Sequence, residues 1–210
     1  MKKKTIALLL VLMLVFGVTC GGTIAYLTST ASVTNTFTIG NVEITLDEVE
    51  VDVYGVAAQG ATRIPNENSE KTGNAYKLMP GHTYTKDPII HVDASSENCY
   101  VFVKIENGIS TFESAKITGE EKTYNTIHDQ ILANNWNVLD GNTGVYYMEY
   151  TKDQADKDLE VFAEFRIADD ANTKAGWGDI KADTTKVIVT GYAVQKDGLT
   201  LTEAWEAVNK

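Results

Sequence analysis

The sequence predicts an all-β fold, an antiparallel β-sandwich with one or two short helices, one of them at the C-terminus. Three observations predict it. Apolar and polar residues alternate with a period of two in segment after segment. Gly- and Asn-rich turns separate those segments. Helical spacing is confined to two short stretches, which is too little to build a series of βαβ units.

The chain opens with MKKK and an uncharged apolar run over 6–18, the two leading regions of a secretory signal peptide. The run is shorter than the roughly 20 residues a membrane-spanning helix needs, and Gly17, Gly21 and Gly22 interrupt its far end. Thr23 and Ala25 are the small residues expected at −3 and −1 of a peptidase site. Cleavage after Ala25 is therefore expected, making Tyr26 the first mature residue, or Leu27 if the cut falls one position later. The expected division is a signal peptide over 1–25, an N-terminal segment over 26–39 and a sandwich domain over 40–210.

Residues 27–39 read LTSTASVTNTFTI. Leu27, Ala31, Val33, Phe37 and Ile39 occupy odd positions, while every even position from Thr28 to Thr38 is Ser or Thr. Such a strand has one apolar and one hydroxyl-bearing face. After Gly40 the apolar set shifts to Val42, Ile44 and Leu46, and it shifts again to Val49, Val51 and Val53 opposite Glu48, Glu50 and Asp52. Each shift predicts a bulge or bend. The three acidic residues read as a solvated strand face that discourages edge pairing.

Residues 57–77 are polar and carry both charge signs, which predicts a surface loop. It ends at LMPGHTYTKDPIIHV, where Pro80 and Gly81 suit positions i+1 and i+2 of a type II turn leading into a strand over 88–93. Further strands are predicted over 99–106, 145–150, 159–167 and 186–195. In the third of these, Leu159, Val161, Ala163, Phe165 and Ile167 share one face. A helix is predicted over 126–135, capped by Thr126 and using Ile127, Ile131 and Leu132 as its apolar side. A second follows Thr200, which stands three residues before Glu203 at capping-box spacing and leads to Ala204, Trp205 and Val208.

Charge narrows the function classes. The chain has 18 basic and 29 acidic residues; loss of Lys2, Lys3 and Lys4 with the leader leaves 15 basic ones and a net charge near −14. That disfavours nucleic acid and anionic membranes as partners, so membrane contact is expected only through the uncleaved leader. Cys99 is the only cysteine after the leader, so an intrachain disulfide is not expected, and its alternation with Val101, Val103 and Ile105 predicts a buried strand position.

Signals for catalysis are lacking. His82, His91 and His128 fall in a turn, a strand and a helix without HExxH spacing, and there is no nucleophile elbow or phosphate-cradling Gly loop. The expectation is a protein without catalytic residues or a cofactor. Calcium is the one ion with any candidate ligands: Asp156, Asp158 and Glu160 alternate, and Asp140 and Asn142 share a turn, though neither set completes an EF-hand loop.

The stretch GGTIAYLTSTASVTNTFTIGNVEITLDE, residues 21–48, resembles the leader and mature start of the TasA/camelysin family of secreted bacterial biofilm-matrix proteins. The segments LMPGHTYTKDPIIHV and GYAVQKDGLTLTEAWEAV are also similar to that family. The resemblance implies a jelly-roll sandwich, export through a SipW-type signal peptidase and assembly into extracellular fibres at the surface of a Gram-positive-type bacterium. It also implies that the freed N-terminal strand completes the sheet of a neighbouring subunit, and it raises a minor co-assembling subunit as a further partner. Leu27, Ala31, Val33, Phe37 and Ile39 are then the donor-strand residues and Gly40 the hinge. Some family members are described as metal-dependent proteases, a reading this chain's lack of a zinc-protease motif argues against. Two alternatives stay open: the N-terminal strand folds back on its own domain, or the protein is a monomeric module binding glycan or another surface through Trp136, Trp177 or Tyr146.

Overall fold

A computed structural model of the chain describes residues 41–65, 71–114, 126–154, 157–180 and 185–209. These belong to one compact unit that begins at Gly40. The leader, Ala25 and Tyr26, the candidate donor residues Leu27, Ala31, Val33, Phe37 and Ile39, the hinge Gly40, and Asp156 lie outside the described residues.

The described chain is mostly strand in antiparallel sheets with two short helices, one C-terminal. In chain order the strands are β1 (Ile44–Val49), β2 (Arg63–Ile64), β3 (Thr83–Thr85), β4 (Ile89–Val92), β5 (Cys99–Asn107), β6 (Asn137–Val138), β7 (Val145–Tyr150), β8 (Asp158–Glu160), β9 (Glu164–Arg166) and β10 (Val187–Gln195). Helix α1 (Ile127–Ala133) lies between β5 and β6, and α2 (Leu201–Val208) ends the chain. One sheet has the order β2-β1-β4-β8, a second β10-β5-β7-β6, and β3 pairs with β9. The two larger sheets meet across a common core that joins Ile90 and Val92 of the first to Val101 and Val103 of the second. Gly191 on β10 permits the approach: a methyl group there would lie 3.3 Å from Ile90 Cδ1 and 3.5 Å from Ile44 Cδ1.

Strand β5 is buried on both faces. Val101, Val103 and Ile105 enter the inter-sheet core, while Tyr100 and Phe102 pack beneath α2. Cys99 is fully buried as its alternation predicts, and burial pushes its thiol up to about 11. Helix α2 is held by the predicted capping box, with Thr200 Oγ1 accepting from Glu203 N and the Glu203 carboxylate accepting from Thr200 N. Its Trp205 lies 5.3 Å from the Phe102 ring and 5.5 Å from Tyr192, centroid to centroid, and donates to Asn142 Oδ1 at 3.0 Å.

Four expectations need correction. The predicted strand over 159–167 is two short strands, β8 and β9, because Val161 and Phe162 are both buried and Ala163 is exposed, which breaks the alternation. Backbone bonds from Val161 N to Pro88 O and from Lys86 N to Ala163 O persist there, and side chains satisfy other groups: Gln130 Oε1 accepts from Ala163 N and Glu164 N, Asn134 Nδ2 donates to Val161 O, and Trp136 Nε1 donates to Glu160 O at 2.8 Å. Leu132 is exposed; Ile127 and Ile131 alone form the buried side of α1. The Pro80–Gly81 turn closes as predicted, with His82 N donating to Met79 O at 3.2 Å and Gly81 at φ 75°, but it leads first into β3 and only then into β4. The stretch 57–77 is more than a surface loop, since it supplies β2 and the fully buried Ile64.

Candidate functional site

Strand β10 ends its sheet, so one edge pairs with β5 through nine residues while the other has no strand partner among the described residues. Among the described residues, β2 covers strand β1 only at Glu48 and Val49, and Ile44–Asp47 pair only with β4. Between these two edges lies a groove of about 880 Å3. Leu46, Ile64, Tyr76, Phe165, Val187 and Val189 give it an apolar lining. Trp177 stands at it as well, half-exposed and edge-on to Phe112 at 5.5 Å.

Polar residues, Asp47, Thr72, Thr185 and Lys186 among them, share that lining, and within it stands a buried charged station. Glu48 is 6% exposed and Lys86 8%, and the two form an ion pair. Glu48 Oε1 also accepts from Asn74 N and from Asn74 Nδ2, each at 3.0 Å. Asn74 Nδ2 donates further to Val49 O at 2.8 Å, tying the 71–77 segment to β1. Burial pushes the Tyr76 phenol upward, the nearby Glu48 charge adds to the shift, and its hydroxyl donates to Thr85 O at 2.9 Å. The acidic face expected at Glu48, Glu50 and Asp52 is thus corrected: Glu48 is buried and paired, Glu50 pairs with Lys71, and Asp52 Oδ1 accepts from Tyr54 N and Val56 N in a turn. Glu48 and Lys86 were missed from sequence because a single carboxylate in an alternating strand has the same pattern whether its face meets solvent or a cation 38 positions away.

On the outer face of the first sheet, Asp47, Asp87, Arg63, His91 and Asp158 form a chain of contacts. Arg63 donates to Asp47 Oδ1 at 2.5 Å and to Asp87 Oδ2 at 2.8 Å. The two ring nitrogens of His91 face Asp47 Oδ1 at 3.0 Å and Asp158 Oδ1 at 2.7 Å. Only the imidazolium donates from both nitrogens, so this geometry favours the charged ring. Burial pulls the His91 pKa down, but the hydrogen bonds to Asp158 and Asp47 outweigh it and the net shift is upward.

The remaining singled-out residues are scattered. Asp158 faces His91, and Glu160 Oε1 accepts from Asn134 Nδ2 at 3.5 Å, so the two described members of the calcium candidate each meet a protein partner. Among the described residues no group of three or more His, Cys, Asp or Glu side chains is placed to hold a metal ion. Asn142 braces Trp205, and its Nδ2 donates to the Asp140 carbonyl. His82 Nε2 contacts Tyr54 O and His128 Nδ1 contacts Tyr146 Oη. Trp136 and Tyr146 are buried, which leaves Trp177 as the accessible member of the proposed stacking set. No helix among the described residues is long and apolar enough to cross a membrane. Comparison with known proteins returned no match among protein-family models, curated proteins or solved structures.

Proposed function

We propose that the chain is a secreted structural subunit of jelly-roll type that polymerises head to tail into extracellular matrix fibres. Residues 27–39 of one copy add a strand along β10 of the next and seat their apolar knobs in the groove. The observation that carries this reading is the nine-residue edge of β10 that has no strand partner among the described residues, beside a groove of about 880 Å3 with apolar lining residues. An extended donor over 27–37 spans about 36 Å, against about 30 Å for nine residues of β10. Strand addition of this kind draws affinity from backbone hydrogen bonds and specificity from alternate side chains in pockets. Because donor and acceptor are different surfaces, the contact is heterologous and propagates as an open filament. Removal of the leader by a SipW-type peptidase frees the donor and confines assembly to the outside of the cell. No step of this role calls for catalysis or a cofactor.

Electron microscopy and size-exclusion chromatography of a chain beginning at Tyr26, beside one beginning at Gly40, test the reading. Filaments from the first and monomers from the second are expected. Monomers from both refute it.

A further inference from the structure

Asp47, Thr72, Thr185 and Lys186 also line the groove, but Glu48 and Lys86 are its buried charges, and the station they form with Asn74 is unevenly satisfied. The Glu48 carboxylate receives two N–H groups from Asn74 and the Lys86 ammonium. The Lys86 side chain is only 10% exposed, and among the described residues its Nζ has one partner, Glu48. An ammonium carries three N–H donors, so two remain at a buried position lining the groove. Among the described residues no second acceptor meets the ammonium. An apolar knob placed over it would cut those donors off from water.

The segment proposed to fill the groove has a matching irregularity. Along its odd positions, Leu27, Ser29, Ala31, Val33, Asn35, Phe37 and Ile39, two residues are polar. A serine hydroxyl bonds readily to its own neighbouring backbone. The carboxamide of Asn35, flanked by Val33 and Phe37 on the same face, has the greater need of a partner across the interface.

We propose that Asn35 of one copy docks on the Lys86 ammonium of the next and so fixes the register of the inserted strand. This rests on the assembly reading above. The Asn35 side-chain oxygen accepts from Lys86 while the knobs on either side enter the apolar lining. A slip of two residues places Val33 or Phe37 over the ammonium and takes the carboxamide away from it. A slip of one turns the Ser/Thr face inward. A single buried Asn plays the same part in coiled coils, where it specifies register.

The test uses chains beginning at Tyr26, with the critical concentration for filament formation read by sedimentation. Urea unfolding of each variant beside wild type checks that the acceptor stays folded. Exchanging the two residues, Val33→Asn with Asn35→Val, keeps composition and moves the polar group two positions; the critical concentration is expected to rise about ten-fold or more. Asn35→Asp, which offers the ammonium a charged acceptor, is expected to polymerise at least as well as wild type, whereas Asn35→Lys sets cation against cation and is expected to raise the threshold about a hundred-fold. Wild-type behaviour of the exchanged chain, or equal impairment by Asp and Lys, overturns the pairing while leaving assembly intact. A wild-type chain that stays monomeric overturns the assembly reading and this inference with it.

Discussion

Removing the charges of Glu48 and Lys86 singly and together tests whether their pair stabilises the rim of the groove as its burial requires. At 6% and 8% exposure the pair is shielded from water, so the small energies typical of surface ion pairs do not apply. Glu48→Gln keeps an oxygen for the two Asn74 donors but leaves the ammonium without its counter-charge, at a cost of about 3 kcal/mol. Lys86→Met leaves a buried carboxylate that still receives both Asn74 N–H groups, again about 3 kcal/mol. The double variant removes both charges and retains the Asn74 contacts, so it should fall within about 1 kcal/mol of wild type rather than the roughly 6 kcal/mol of two independent losses. Urea unfolding of the chain beginning at Gly40, with unchanged m-values, measures all four states. Single variants that each cost under about 1 kcal/mol, or effects that simply add, would refute the argument that burial makes this pair interdependent.

Two further outcomes follow from particular geometries. Gly55 has φ 76°, and a Cβ there would lie 2.7 Å from Tyr84 Cα, so Gly55→Ala combines a left-handed backbone with a backbone clash and should destabilise by about 2 kcal/mol or more, seen as a lowered Tm. The raised pKa of His91 means that its contribution to stability is fully present below the unfolded value of about 6.5 and is lost as pH rises through the higher folded value. The stability gap between wild type and His91→Gln, measured by denaturant unfolding, should accordingly be wide at about pH 5.5 and narrow at about pH 8.5, and a gap independent of pH would refute the imidazolium assignment.

Local signals are legible in the chain where a short stretch contains the whole cause. Thr126 caps α1 by accepting from Asp129 N at 3.2 Å, Thr200 and Glu203 cap α2, and Pro80 and Gly81 make their turn, because each depends on residues no more than three or four apart. Strands β4, β5, β7 and β10 lie where their alternation placed them. The break between β8 and β9 was hidden in an unbroken odd-position pattern, since it depends on Gln130, Asn134 and Trp136 reaching it from about 25 to 35 positions away.

The candidate site divides the same way. Period-two patterning, helical spacing and capping signals determined an antiparallel β class, two short capped helices and a buried Cys99. Which strand would end its sheet, where a groove would open beside it, and that Glu48 would sit beneath the surface on Lys86 were decided only by the tertiary structure. The physical reason is that alternation specifies which side chains share a face, whereas an unpaired edge or a buried charge depends on what the rest of the chain brings against that face, and those partners are distant in sequence.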